Sequence, residues 1–459
     1  MSKVTRIESD SVGVLEIPQE AYYGVQSLRG CQNFQISGVK MHPLFIKNIT
    51  LIKKAAALTN GKYGHVTEDI AKAIVAACDE VLSGKLDKEF ITDAIQGGAG
   101  TSVNMNVNEV IANRATELLG GEKGQYLCHP NDHVNNAQST NDVIPTAGKL
   151  TVLDLSKALL ANLEALIEAL LVKAKEFDHI IKMGRTQLED AVPIRLGQEF
   201  HAYASALKRD YKRICAALEE MKIINLGGTA IGTTINAGKD YVQNIVPALA
   251  DICGYELGQA EDLIDATQNV ECFVAVSGAL KTCAVNLSKM SNDLRLMGSG
   301  PKTGIAEIVL PAKQNGSSIM PGKINPVIPE VVSQVAFLVV GNDATITMAA
   351  EAGQLELNAF EPVIFYKLFE SLTCLANAMS TLRENCIVDI QANQSHCEEE
   401  VYNSVGIVTA LCPYIGYKKA AALAKEALAT GVSVQALVLR DGLMEKEMLE
   451  KVLNPYAMT

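Results

Sequence analysis

The sequence predicts a mainly α-helical protein built on a bundle of long helices. Three observations lead there. Ala, Leu, Lys and Glu are abundant while Trp is absent and aromatic residues make up only 5% of the chain, a composition that favours helix packing over sheets. Apolar residues recur at helical spacing over unusually long stretches. Short glycine-rich or polar breaks, and no tandem repeat, separate those stretches.

At 459 residues the chain is long enough for two or three domains and a large core. Its net charge is −12 and it carries no basic cluster, which argues against nucleic acid or an anionic membrane as the main partner. No apolar run approaches the roughly 18 to 20 residues of a membrane span. Met1-Ser2-Lys3-Val4-Thr5-Arg6 leads into acidic and polar sequence without an apolar signal core, so a cytoplasmic location is expected. Eleven cysteines lie scattered, with no Cys-x-x-Cys pair. That pattern reads as free, mostly buried thiols in a reducing compartment, without a disulfide framework or zinc-thiolate site.

Residues 1 to about 50 read as irregular. Lys47 to Leu58 and Glu68 to Leu82 read as short amphipathic helices, and Lys85 to Asp93 as a third short element. Gln96-Gly97-Gly98-Ala99-Gly100-Thr101-Ser102 follows. Its glycines allow close backbone approach to a ligand, but the Gly-Lys-Ser/Thr end of a P-loop is missing. A helix capped at Thr101 or Ser102 is expected next, running through Glu109 to Leu119.

The segment from His129 to Asp142 is unusually polar. His129 and His133, four apart with Asp132 between, have metal-ligand spacing, but Pro130 and the lack of a third ligand count against a metal. Ser139-Thr140-Asn141 offers three neutral donors in a row, suited to a helix N-cap or to gripping a carboxylate. From about 145 to 177 one helix carries Leu159, Leu163, Leu166 and Leu170, with Leu160, Ile167 and Leu171 beside them. A stripe this wide is buried on more than one side. Further long helical patterns cover about 193–223, 239–254 continuing after a break to 262–297, 327–351 and 361–388. Broad apolar stripes on such rods predict packing against copies of the same helices.

Three breaks interrupt the bundle. Gly184-Arg185-Thr186-Gln187-Leu188-Glu189-Asp190-Ala191-Val192-Pro193 is polar, and Gly227-Gly228-Thr229-Ala230-Ile231-Gly232-Thr233 is a glycine-rich corner. The third is Gly316-Ser317-Ser318-Ile319-Met320-Pro321-Gly322-Lys323-Ile324-Asn325-Pro326. Two glycines and two prolines rule out a regular helix or strand there. The loop offers two hydroxyls, an ammonium and an amide, a set suited to a small anion and a proton transfer. A plain turn-rich connector has the same composition.

Together these breaks resemble the fumarase/aspartase superfamily. The resemblance runs from Tyr22-Tyr23-Gly24-Val25 to the C-terminal region, and the Gly316–Pro326 run is its signature. Gln187, where class II fumarases typically have histidine, and Thr140, where they typically have serine, are similar to aspartate ammonia-lyases. So are Gly97–Asn106 and Met348-Ala349-Ala350-Glu351-Ala352-Gly353-Gln354-Leu355. The resemblance implies three domains, an N-terminal one at 1–141, a central helical bundle at 142–393 and a small helical C-terminal one at 394–459. It also implies a homotetramer whose active sites are shared between subunits.

The implied reaction is reversible anti elimination of ammonia from L-aspartate, giving fumarate through an aci-carboxylate. Fumarate hydratase is the same-fold alternative, and a catalytically silent helical oligomer the alternative of another class. By correspondence Ser317 is the general base. Thr101, Ser139, Thr140 and Ser318 surround the β-carboxylate, whose developing charge neutral donors can stabilise without acquiring charge. Thr186, Lys323 and Asn325 hold the α-carboxylate, and Asn141 contacts the departing amino group with Gln187 nearby. No cofactor or metal is required; the resemblance leaves Mg²⁺ activation open, along with a second dicarboxylate site near His129. Ile319 and Met320 are expected to exclude water when the loop closes about Gly316 and Gly322.

Overall fold

A computed structural model describes residues 4–459; Met1–Lys3, part of the N-terminal segment read above, lie outside the described residues. The chain is mainly helical. Among the described residues the strands form only two-stranded sheets. Five long helices dominate: Thr140–Glu176, Leu196–Glu219, Glu271–Met297, Val327–Glu351 and Glu361–Asn385.

The chain divides into two compact units. One comprises Met1–Leu159, Lys212–Thr282 and Leu338–Cys374, the other Leu160–Tyr211, Cys283–Phe337 and Leu375–Thr459.

In the first unit, residues expected to be irregular form an antiparallel hairpin, Thr5–Ser9 with Val14–Pro18, and a helix, Val25–Asn33. The buried Glu109 carboxylate holds that helix start by accepting the main-chain N–H groups of Gly24, Gln26 and Ser27. This satisfies donors that a helix N-terminus leaves unpaired. Helix Pro43–Lys62 begins with proline at its first position and His42 as its cap, His42 Nδ1 accepting from Leu44 N. Helix Glu68–Leu82 has its expected bounds, while Lys85 to Asp93 contains only a 3₁₀ turn at Asp87–Glu89. Phe45, Phe273, Phe365 and Phe369 form an aromatic core with ring centroids 5.1 to 5.8 Å apart. Gly148 permits that packing, because a Cβ there would lie 2.4 Å from the Phe365 ring.

In the second unit the polar break at 184–193 is a correction to the reading as a simple interruption. It belongs to an antiparallel hairpin, Ile181–Thr186 with Glu189–Arg195. Alternation of Ile181 and Met183 into the core supplies the physical reason, since both pack into a cluster with Val401, Leu411, Leu423, Leu437 and Leu449. Short helices after 393 complete that cluster, as expected.

Helix Val327–Glu351 is the most apolar of the long helices, although Glu330, Gln334, Asn342 and Asp343 interrupt its apolar residues. Its most apolar 18 residues have a mean hydropathy of 1.4, enough to cross a membrane by length and composition alone. A helix in the core of a bundle has the same properties. Phe337 and Met348 on it are 68% and 72% exposed in the single chain.

Candidate functional site

The predicted residues fall into two groups, one in each unit. Thr101, Ser139, Thr140 and Asn141 belong to the first; Thr186, Gln187, Ser317, Ser318, Lys323 and Asn325 belong to the second.

Thr101 opens helix Thr101–Leu118 and follows Gly100, which is left-handed at φ 89°. That backbone conformation favours glycine, and a Cβ there would also crowd Ile144 at 3.0 Å. The Thr101 hydroxyl donates to Gly98 O at 2.7 Å and lies 3.4 Å from Thr140 Oγ1. Thr140 Oγ1 also accepts from Asn104 Nδ2 at 3.3 Å. Two hydroxyls distant in sequence thus face one another.

Ser139, Thr140 and Asn141 form the first turn of helix Thr140–Glu176. Ser139 Oγ accepts Asn141 N at 3.2 Å, and Asp142 Oδ1 accepts Ser139 N at 2.9 Å, the reciprocal arrangement of a capping box. Asn141 Nδ2 donates to Ala230 O at 2.7 Å. That bond fixes the amide, and its Oδ1 is an acceptor suited to a substrate ammonium group.

Below this turn lies a buried polar layer. Lys53, fully buried, donates to Asn135 Oδ1 at 2.8 Å and Gln138 Oε1 at 2.9 Å. Burial pushes its ammonium down to about 7, with the Asp142 charge opposing the shift. Burial likewise pushes Asp142 up to about 6 against the pull of its N–H donors and Lys53. Neither residue is distinguishable as part of the site by sequence pattern alone; the capping-box spacing of Ser139 and Asp142 is the one signal available.

His129 and His133 each have Nδ1 engaged by main-chain N–H groups of their own turn. His129 Nδ1 accepts Asn131 N and Asp132 N, and His133 Nδ1 accepts His129 N at 2.8 Å. Among the described residues no group of three His, Cys, Asp or Glu is placed to hold a metal ion. His129 does line a cavity of about 520 Å³ together with Thr101, Ser102, Gln26 and Arg29. The Arg29 guanidinium in it is paired with Asp10.

In the second unit Thr186 ends the strand Ile181–Thr186, and Gln187 forms the hairpin tip with Leu188. Both tip residues are left-handed, at φ 55° and 67°. A two-residue turn of this hand matches strand twist but favours Asn-Gly, so Gln187 and Leu188 hold it under strain. A buried ionic cluster anchors the hairpin stem. Lys182 reaches Glu199 at 3.0 Å and Glu307 at 2.9 Å, and Arg185 pairs with Glu307 and with Glu400.

The loop from 315 to 326 is closed at its base. Gly316 N donates to Lys323 O, and Asn325 Nδ2 to Gly316 O, both at 2.8 Å. Ser317 Oγ accepts two main-chain N–H groups, from Ile319 at 3.1 Å and Met320 at 2.9 Å. Gly322, at φ 78°, has open space around it and suits a hinge. Gly316 does not, because it is packed against Asn325. Ile319 is 86% exposed, so here the loop stands open to solvent. Lys323 and Asn325 line a cavity of about 690 Å³ that also includes Arg295.

Comparison with known proteins gives concordant matches. The lyase family model covers residues 13–341 and the fumarase C C-terminus model residues 407–459. An aspartate ammonia-lyase from Bacillus sp is 51% identical, spanning 100% of this chain and 98% of the relative. A fumarate lyase:delta crystallin from Brucella melitensis bound to cobalt superposes with a TM-score of 0.96 at 48% identity, over 99% of both chains. A class II fumarase from Schistosoma mansoni superposes with a TM-score of 0.95 at 36% identity, over 98% of both.

Proposed function

The chain belongs to the lyase family that includes the aspartate ammonia-lyases, and from that premise we propose that it converts L-aspartate reversibly to fumarate and ammonia. It is a carbon–nitrogen lyase. The observation that carries the mechanistic reading is the pair of N–H donors on Ser317 Oγ. A serine hydroxyl is too weakly acidic to act as a base unless its alkoxide is stabilised, and two main-chain N–H groups aimed at the oxygen supply such stabilisation.

In this reading the Ser317 alkoxide takes the Cβ proton. The electron pair moves into the β-carboxylate, which becomes a doubly charged aci-carboxylate held by Thr101, Ser139, Thr140 and Ser318. Collapse forms the carbon–carbon double bond and breaks the bond from Cα to nitrogen. The amino group is protonated in the substrate, so it leaves as neutral ammonia past Asn141 and Gln187. Thr186, Lys323 and Asn325 hold the α-carboxylate. Asn325 has one N–H engaged by Gly316 O, which leaves its second for substrate.

The reading includes a cytoplasmic homotetramer in which each active site draws on several subunits. It divides the chain into the three domains 1–141, 142–393 and 394–459. Two observations support the assembly: the candidate residues fall into separate groups, and helix Val327–Glu351 leaves Phe337 and Met348 exposed. No cofactor is invoked.

The test is to incubate the protein with L-aspartate, and separately with L-malate, while following fumarate absorbance. Fumarate from aspartate is expected, with and without a chelator. Fumarate from malate alone would overturn the assignment. Light scattering should give four times the chain mass.

A further inference from the structure

We propose that Asp142 is a positioning residue for the elimination: its buried carboxylate clamps the Ser139–Asn141 donor turn to the glycine-rich corner at 225–230. The proposal rests on the reading above, in which Ser139, Thr140 and Asn141 meet substrate.

Asp142 is 0% exposed, so it acts through its neighbours. Its two oxygens divide their work. Oδ1 accepts Ser139 N at 2.9 Å, which a helix cap alone would explain. Oδ2 accepts Gly227 N at 3.1 Å and Thr229 N at 3.0 Å, from a segment some 85 residues further along the chain. A cap has no use for those bonds. They fix the corner whose next carbonyl, Ala230 O, receives the Asn141 side-chain amide at 2.7 Å.

The corner is shaped to reach the carboxylate. Gly227 and Thr229 are both left-handed, at φ 96° and 58°, and their N–H groups, on either side of Gly228, meet at one carboxylate oxygen. Thr229 adopts that conformation despite its branched side chain, at a cost repaid by the bond to Asp142.

A second tie joins the same two segments. Pro145 lies in the first turns of helix Thr140–Glu176 and has no N–H, so the Asn141 carbonyl four residues earlier lacks its helical partner. Asn225 Nδ2 donates to that carbonyl at 3.0 Å and to Thr267 Oγ1 at 3.0 Å. Asn141 is therefore held at both its main chain and its side chain by the corner that Asp142 organises. From below, Lys53 holds Asn135 and Gln138, which lead into the turn.

The arrangement explains why an aspartate is needed. Three N–H donors converge on one group, and only a carboxylate presents acceptors on both sides. In Asp142→Asn one side becomes an NH₂ that faces an N–H donor, so one arm of the clamp opens whichever way the amide turns. The donor turn then loses its fixed direction while its chemical groups remain.

The experiment compares wild type, Asp142→Asn and Asn225→Ala in steady-state deamination of L-aspartate, with fumarate product inhibition and thermal unfolding measured alongside. Misplaced donors should weaken the transition state more than the ground state. Asp142→Asn is therefore expected to lose about 100-fold in kcat, while KM and the fumarate inhibition constant change by less than about threefold. Asn225→Ala changes no charge and opens the second tie, so a smaller loss of the same kcat-weighted kind is expected. Should Asp142→Asn fail to fold, Asn225→Ala decides the matter alone. An unchanged kcat in whichever variants fold, or a loss confined to KM, overturns the clamp. Wild type inactive on aspartate would instead overturn the functional reading.

Discussion

Asn325 closes its loop onto Gly316: Asn325 Nδ2 donates to Gly316 O at 2.8 Å, and a Cβ on Gly316 would lie 2.8 Å from the same amide group. The pair cannot coexist with any side chain at 316. Gly316→Ala should therefore push Asn325 aside and displace Ser317, the proposed base, that follows. An ångström-scale displacement of a reacting group costs about 100-fold in rate. Because the loop is exposed, thermal stability should hardly change. Steady-state kinetics with a melting curve on the same sample checks this; full activity in Gly316→Ala would mean that the loop tolerates opening at its base.

Ser317→Ala removes the hydroxyl that Ile319 N and Met320 N address. Both N–H groups sit in an exposed loop where water can replace the serine oxygen, so stability should stay within about 0.5 kcal/mol of wild type. Turnover should fall by about 10²- to 10⁴-fold, the range for loss of a positioned general base. A variant with near-normal turnover removes Ser317 from that role.

Much of the local structure around the candidate residues was legible in sequence because short-range signals set it. The run from Gly316 to Pro326 declares a loop through its glycines and prolines, and Ser139-Thr140-Asn141 declares a helix start. Helix Val327–Glu351 was legible to the residue, since Pro326 precedes it and Gly353 follows shortly after its end. The hairpin at Ile181–Arg195 was not, because alternation covers only Ile181 and Met183 before Gly184 breaks it, and the packing partners lie beyond residue 400. Asp142 shows the same limit. Its cap role can be read from three-residue spacing, whereas its bonds to Gly227 and Thr229 depend on where a distant corner folds.

Glu307 is fully buried between Lys182 and Arg185, and Lys182 is itself only 3% exposed. Removing the carboxylate leaves a buried ammonium with Glu199 alone. Glu307→Ala should destabilise the protein by about 3–5 kcal/mol, the usual cost of breaking a buried ion pair from one side. Glu307→Gln keeps the shape and should cost less. Both should impair aspartate turnover, because the cluster holds the stem of the hairpin that carries Thr186 and Gln187. Urea unfolding at fixed protein concentration checks the stability order; equal midpoints for all three proteins would contradict it.

Lys53 makes stability depend on pH in a direction opposite to that of a lysine held in an ordinary salt bridge. Burial lowers its folded-state pKa to about 7, while an unfolded lysine titrates at about 10.4. Between those values the unfolded chain binds more protons than the folded one, so this group makes stability rise with pH from about 7 to about 10. Asp142 acts in a separate window. Its raised value, about 6, means the folded state holds the proton longer, so its contribution falls as pH rises from about 4 to about 6. Lys53→Met removes the first effect. Urea midpoints measured from pH 6 to 10 should therefore climb more steeply above pH 7 in wild type than in Lys53→Met. Parallel profiles would show that Lys53 keeps an ordinary ammonium despite its burial, and that Asn135 and Gln138 are held by a permanent charge.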